Sequence, residues 1–207
     1  MSTIDLLAGR APALRMGDKA PDFEARTTKG ALRFSSLHGR WVLFFSHPAD
    51  FTPVCTSEFV ALAKANEQFA ALNCTLLGLS VDSLYSHQAW LRAIYELAGV
   101  TIPFAVVEDP SMVIGRAYGM LDEGAIDSSA VRATYFIDPE GVIRAITHYP
   151  MNVGRSVDEM LRILAALQAT ADGSRLAPAG WMPGSAMLLP PCDGIAEGTD
   201  WFCRTAP

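Results

Sequence analysis

The segment from Trp41 to Val81 constrains the fold most. Trp41-Val42-Leu43-Phe44-Phe45-Ser46 is a continuous apolar run of strand length, and Leu76-Leu77-Gly78-Leu79-Ser80-Val81 is another. Neither alternates polar with apolar residues, so each reads as a strand covered on both faces. Between them, about Pro53 to Phe69 reads as a helix with Phe59, Leu62 and Phe69 on one face. Strand, helix and strand in this order form a right-handed βαβ unit.

The rest of the chain extends that unit. Phe23 to Thr27, a Lys29-Gly30 turn and Ala31 to Phe34 read as a small hairpin. A helix is expected from about Ser86 to Ala98, ending at Gly99. Ile102 to Val107 reads as a strand interrupted early by Pro103, and about Ser111 to Tyr118 as a short helix. Arg132 to Ile137 and Val142 to His148 flank the turn Asp138-Pro139-Glu140-Gly141. Ser156, with Glu159 three residues on, opens a last long helix that should end near Asp172-Gly173. Residues 14–172 are therefore expected to form one α/β domain with a central mixed β-sheet flanked by helices. Residues 173–207, rich in Pro and Gly and carrying Trp181 and Trp201, are too short to fold alone. They read as a C-terminal extension that packs on the main domain or at a subunit interface.

The 207 residues suffice for one sizeable core, half of them being hydrophobic. The formal net charge of -6 comes without a basic stripe or polybasic helix, which argues against nucleic acid or a membrane surface as partner. No apolar run could span a bilayer, and the N-terminus lacks a secretory pattern, so a cytoplasmic protein is expected. Four cysteines, Cys55, Cys74, Cys192 and Cys203, include no Cys-x-x-Cys pair. A zinc ribbon and a dithiol site are thereby disfavoured, and a thioredoxin-like disulfide reductase too, since Glu58 stands three residues after Cys55.

Cys55 is the candidate nucleophile. Thr52 suits an N-cap and Pro53 a first helical residue, which places Cys55 third in the helix. There its sulfur should meet unpaired backbone N–H groups and the positive end of the helix dipole, both of which favour thiolate. Thiolate character alone is not enough. For a thiol whose pKa falls from about 8.5 to roughly 6, the thiolate fraction at pH 7 rises about 30-fold. Intrinsic nucleophilicity falls roughly 10-fold over the same range. Fast chemistry at Cys55 therefore requires donors for a leaving oxygen. Thr52 can offer a hydroxyl, and Arg132, a charge at the start of a core strand, a guanidinium. Cys74, ahead of an apolar strand, reads as a structural thiol.

Pro48-Ala49-Asp50-Phe51-Thr52-Pro53-Val54-Cys55 closely resembles the peroxiredoxin active-site motif Pro-x-x-x-Thr/Ser-x-x-Cys. Gly17-Asp18-Lys19-Ala20-Pro21-Asp22-Phe23, Leu79-Ser80-Val81-Asp82-Ser83, Ser86-His87-x-x-Trp90 and Arg132-Ala133-Thr134-Tyr135-Phe136-Ile137-Asp138 resemble the same family. The likeness covers about residues 14 to 170. It is greatest to the one-cysteine-type subgroup with a C-terminal extension, including archaeal relatives that end in a Trp-Phe-Cys segment.

The resemblance implies a thioredoxin-like fold and a thiol-dependent peroxidase that needs no metal or organic cofactor. It makes Cys55 the peroxidatic cysteine, has Thr52 and Arg132 bind the peroxide, Pro48 shield the sulfenic acid and Glu58 orient the arginines. His47 and Arg155 match further substrate-pocket positions. Asp200-Trp201-Phe202-Cys203 resembles the segment that carries a resolving cysteine, so Cys203 of another subunit is favoured as the disulfide partner. Cys192 is the alternative and an external thiol a third route, because the spacing of this tail departs from those relatives. Hydrogen peroxide and small organic hydroperoxides are the implied substrates, and thioredoxin, glutaredoxin or a small thiol the reductant. A homodimer assembling into a ring, a decamer, is the implied assembly, with a chaperone-like ring or a peroxide sensor as the competing function. His38-Gly39-Arg40-Trp41-Val42 lacks the serine of the lipase-like motif in some relatives, so phospholipase activity is not expected.

Overall fold

The computed structural model describes residues 13–121, 130–191 and 202–206. The chain first forms β1 (Glu24–Thr27), β2 (Gly30–Arg33) and β3 (Trp41–Ser46). It continues through α1 (Pro53–Lys64), α2 (Asn66–Ala71), β4 (Cys74–Ser80), α3 (Leu84–Ala98), β5 (Ala105–Glu108) and α4 (Val113–Ala117). Then come β6 (Arg132–Ile137), β7 (Ile143–Tyr149), α5 (Val157–Ala169), β8 (Met187–Leu188) and β9 (Thr205–Ala206).

Seven strands form one mixed sheet in the order β2-β1-β5-β4-β3-β6-β7. Strands β3, β4 and β5 run parallel, as the βαβ reading requires, while β6 pairs antiparallel with both β3 and β7. Every residue of β3 and of β6 is buried, which explains the unbroken apolar run of β3 over residues 41–45, while β6 carries Arg132 and Thr134 into the interior. Period-two alternation divides β3 between the two sides. Trp41, Leu43 and Phe45 face a core with Phe59 and Leu62 of α1, Trp90 and Ile94 of α3, and Met160 and Leu164 of α5. Val42 and Phe44 face the other core, with Phe34, Ile114 and Tyr118.

The expected helix over residues 53–69 is two helices. Ala65, at φ -91° and ψ 0°, separates α1 from α2. Ala65 is a strong helix former and nothing local predicts a break. The break falls where Ala65, Phe69 and Leu76 all sink into the same core. Strand β5 begins at Ala105, later than expected, and α5 ends at Ala169, earlier than expected. Ser83 and Ser156 cap α3 and α5 by accepting from Ser86 N and Glu159 N. In the extension, Trp181 and Met187 pack on Ala165 of α5, so this part lies on the main domain. Trp201 and Cys192 lie outside the described residues. Among the described residues, no helix is long and apolar enough to cross a membrane.

Candidate active site

The end of β3, the start of α1, the start of β6 and the turn before α5 converge on Cys55. Pro53 is the first residue of α1, which makes Cys55 the third, and its side chain is fully buried. The bond to its sulfur comes from a side chain. Arg132 Nη1 donates to Cys55 Sγ at 3.3 Å. The antiparallel pairing of β3 with β6 matches Phe45 with Thr134, which brings Arg132 beside the chain leaving β3.

Arg132 is held firmly. Its Nε and Nη2 donate to the carbonyl of Met151 at 3.0 and 2.7 Å, and its Nη1 also donates to Glu58 Oε2 at 2.8 Å. Four of its five N–H groups are thus engaged and one remains. Glu58, one helical turn beyond Cys55, also receives Arg155 Nη2 on Oε2 at 2.8 Å. Its Oε1 receives Arg155 N at 2.8 Å and Nε at 2.9 Å. Arg155 Nη1 donates to Ala133 O and Thr134 Oγ1, and its guanidinium carbon stands 5.3 Å from the Phe45 ring centroid. Glu58, Arg132 and Arg155 are all buried. Burial pushes the Glu58 carboxyl up, but the Arg155 hydrogen bonds and the charges of Arg155 and Arg132 outweigh it and hold it below the usual range.

The electrostatic consequence is simple. Two guanidinium charges and one carboxylate leave this buried group with a surplus positive charge. An anion at the Cys55 sulfur would bring the net charge of the group to zero.

Thr52 occupies the N-cap position with extended backbone, but its side chain does not cap the helix. Its hydroxyl donates to Ala49 O at 2.8 Å. The proton is therefore engaged here, and the hydroxyl oxygen keeps its capacity to accept. Pro48 is buried beside this turn.

His47 is buried and bonds through Nε2 to Asp50 Oδ1 at 3.0 Å, while its Nδ1 has no partner. The same carboxylate meets His87 Nδ1 at 2.9 Å. Burial pushes the Asp50 carboxyl up, but the hydrogen bonds from His47 and His87 prevail and it is held at about 2. Asp50 and His87 were not singled out for a role from sequence. The available signal was a histidine on the buried face of α3, in line with Trp90 and Ile94. Among the described residues, His47, Asp50 and His87 are the group whose donor atoms lie close enough together, within 4.8 Å, to consider for a metal ion.

The other cysteines among the described residues are Cys74 and Cys203, both free. Cys74 is buried in β4, and burial pushes its thiol up to about 12, which makes it inert. Cys203 is exposed just ahead of β9 and is a free thiol.

Comparison with known proteins agrees with this arrangement. Residues 16–146 match the AhpC/TSA family. The chain is 46% identical over 177 residues to "Peroxiredoxin 2" of Caldanaerobacter subterraneus subsp. tengcongensis, covering 86% of this chain and 80% of that protein. It is also 46% identical over 198 residues to "Peroxiredoxin 2" of Picrophilus torridus, covering 92% and 98%. Among solved structures, a yeast mitochondrial 1-Cys peroxiredoxin superposes with a TM-score of 0.81 at 40% identity, covering 86% of this chain and 87% of that one. Reduced 2-Cys peroxiredoxin of Plasmodium vivax superposes with a TM-score of 0.77 at 33% identity, covering 84% and 93%. A peroxidase site of the thiol type, on a thioredoxin-like fold, is what these proteins share, and the chain belongs to the AhpC/TSA family as a peroxiredoxin, a thiol-dependent peroxidase acting on a peroxide with a thiol reductant.

Proposed function

We propose that Cys55 is the nucleophile of this peroxidase and that it reduces hydrogen peroxide and small organic hydroperoxides. The observation that carries the reading is the buried Arg132–Glu58–Arg155 group, whose surplus positive charge touches Cys55 Sγ through Arg132 Nη1 at 3.3 Å. The thiolate attacks the terminal peroxide oxygen, the S–O bond forms as the O–O bond breaks, and the displaced oxygen leaves as water or alcohol after taking a proton. Arg132 offers its remaining N–H to the oxygen that gains charge. Thr52 accepts the peroxide O–H, Pro48 walls the pocket, and Glu58 holds both arginines in place. Arg155 acts on the pocket through Glu58, and His47 stands at its edge. The complete burial of the sulfur favours small peroxides, since a bulky one cannot reach it without movement of the loop.

The sulfenic acid then condenses with a thiol, releases water and leaves a disulfide, which thioredoxin, glutaredoxin or a small thiol reduces. Cys203 of a second subunit is the thiol we assign, because it is exposed and free, with Cys192 as the alternative. Residues 14–172 then serve as the catalytic domain and 173–207 as an extension at a subunit interface of a ring-shaped oligomer in the cytoplasm. The exposed Leu176 and Met182 support an interface there.

The test is turnover with a thiol reductant together with intact mass after one equivalent of peroxide. Wild type should gain one oxygen or a disulfide at Cys55, and Cys55→Ser should lose turnover entirely. Turnover retained in Cys55→Ser would overturn the assignment, and stoichiometric oxidation without turnover would indicate a sensor.

A further inference from the structure

The reaction above gives no role to Asp50 and His87, which form a buried polar group with His47. His47 and Asp50 belong to the loop 47–52, which also carries Pro48 and Thr52, and His87 reaches it from α3. Phe51, in the middle of that loop, has φ +56° and is 59% exposed. A bulky residue enters this left-handed region only when its surroundings hold it there, and its exposed ring offers no packing to do so. The restraint comes from its neighbours. Asp50 N donates to Asp82 Oδ2 at 3.0 Å, and Thr52 Oγ1 ties back to Ala49 O. The Asp50 carboxylate is gripped by His47 and by His87, the latter on α3, 37 positions further along the chain.

The protons can be counted. His87 Nδ1 faces the Asp50 carboxylate, and His87 Nε2 faces the carbonyl of Val107 at 3.2 Å. Both are acceptors. A neutral imidazole has one N–H and would set a lone pair against one of them. With protons on both nitrogens, each contact is a hydrogen bond and His87 forms an ion pair with Asp50. Asp50 does not supply the missing proton, since its carboxyl is held at about 2. His47 then donates its Nε2 proton to Asp50 and stays neutral, consistent with burial pushing it down. The other acidic groups around the pair are Asp82, bonded to Ser80 Oγ, and Glu108 of β5, bonded to Arg26 and Leu84 N.

The geometry points to Asp50 and His87 as positioning residues of the peroxide reaction, a buried ion pair with His87 doubly protonated that clamps the loop carrying Pro48 and Thr52. This rests on the reading of Cys55 as the nucleophile. Neither residue bonds the sulfur; both act through the loop. The spacing within the trio would admit a metal ion, but with His87 protonated on both nitrogens and His47 on Nε2 each of their contacts to Asp50 is a hydrogen bond, which favours the ion pair.

The experiment uses the full-length chain as wild type, His87→Leu and His87→Asn. The chain has four histidines, so nitrogen-15 histidine NMR at pH 7 can be assigned. Both nitrogens of His87 should be protonated, and His47 should show one protonated and one bare. In stopped flow with hydrogen peroxide, His87→Leu should oxidise Cys55 roughly 10- to 100-fold more slowly than wild type, the penalty of a misplaced pocket. Its Cys55 should also react several-fold faster with a bulky disulfide reagent. His87→Asn keeps a donor to Asp50 without the charge, and should fall between the two proteins in peroxide rate. A purely structural role would lower the melting temperature and leave these rates unchanged. A bare nitrogen on His87 would overturn the proposal. So would one equivalent of divalent metal bound by wild type and lost in His87→Asn. Should His87→Leu fail to fold, a His87→Asn rate equal to wild type would overturn it as well. A wild type without Cys55-dependent oxidation defeats the reading of function instead, and an active wild type matched by His87→Leu defeats only the clamp.

Discussion

At Cys55 the helix start and the arginine pair act in the same direction but on different scales. A helix N-terminus favours an exposed anion by about 0.3–1 kcal/mol. A buried guanidinium in contact with the sulfur, itself part of a group with one charge too many, is the larger influence because water cannot screen it. Asp50 illustrates the same physics with the opposite sign of group, a buried carboxylate kept ionised by two imidazoles. Its folded value lies below the unfolded one, so its contribution to stability is complete above about pH 5 and is lost as pH falls toward 2. That contribution is ~2 kcal/mol at neutral pH. Urea unfolding of wild type and Asp50→Asn should therefore differ more at pH 7 than at pH 3, by ~1 kcal/mol. A difference that does not change with pH would show that the carboxylate is not ionised against His47 and His87.

At the level of elements, the sheet was legible wherever burial on both faces leaves an unbroken apolar run. Strand β3 has the predicted bounds, and so does β6. Gly78 shows how tightly the central strands are covered. A Cβ there would stand 3.3 Å from Phe45 Cζ and 3.4 Å from Phe59 Cζ, both in the core beneath Cys55. Gly78→Ala should destabilise the protein by about 1–2 kcal/mol in urea unfolding, since rings packed this closely cannot yield cheaply. An unchanged midpoint would mean that the core beneath α1 can relax. The break at Ala65 was not legible, because no helix-breaking residue marks it; it falls where Phe69 and Ala65 pack into the core. The same distinction divides the site. Cys55, Thr52 and Pro48 belong to one short segment, and Arg132 stood out as a charge in a core strand. Asp50 and His87 become meaningful only once α3 is laid beside the loop, which no local pattern reports. The hydrogen bond from the Thr52 hydroxyl to Ala49 O likewise depends on the turn that brings the two together.

At the level of the whole molecule, the proposed nucleophile is buried, and the other cysteines among the described residues, Cys74 and Cys203, are free thiols. Cys55 is fully buried and Cys203 is exposed, so a bond between them in different subunits requires the start of α1 to move. Non-reducing gels after one equivalent of peroxide should show a covalent dimer that Cys203→Ser abolishes. A dimer that persists in Cys203→Ser and vanishes in Cys192→Ser would move the resolving role to Cys192. The central claim, that Cys55 reacts as one member of a buried charge group and not as a lone thiolate, is tested most directly by the rate at which peroxide oxidises it when Arg132 is altered. In single-turnover stopped flow at pH 7, Arg132→Lys, which keeps the charge but loses the fork of donors, should slow oxidation of Cys55 by roughly 10²- to 10³-fold, the usual loss for a missing donor to a developing oxyanion. A rate within two-fold of wild type would contradict the account.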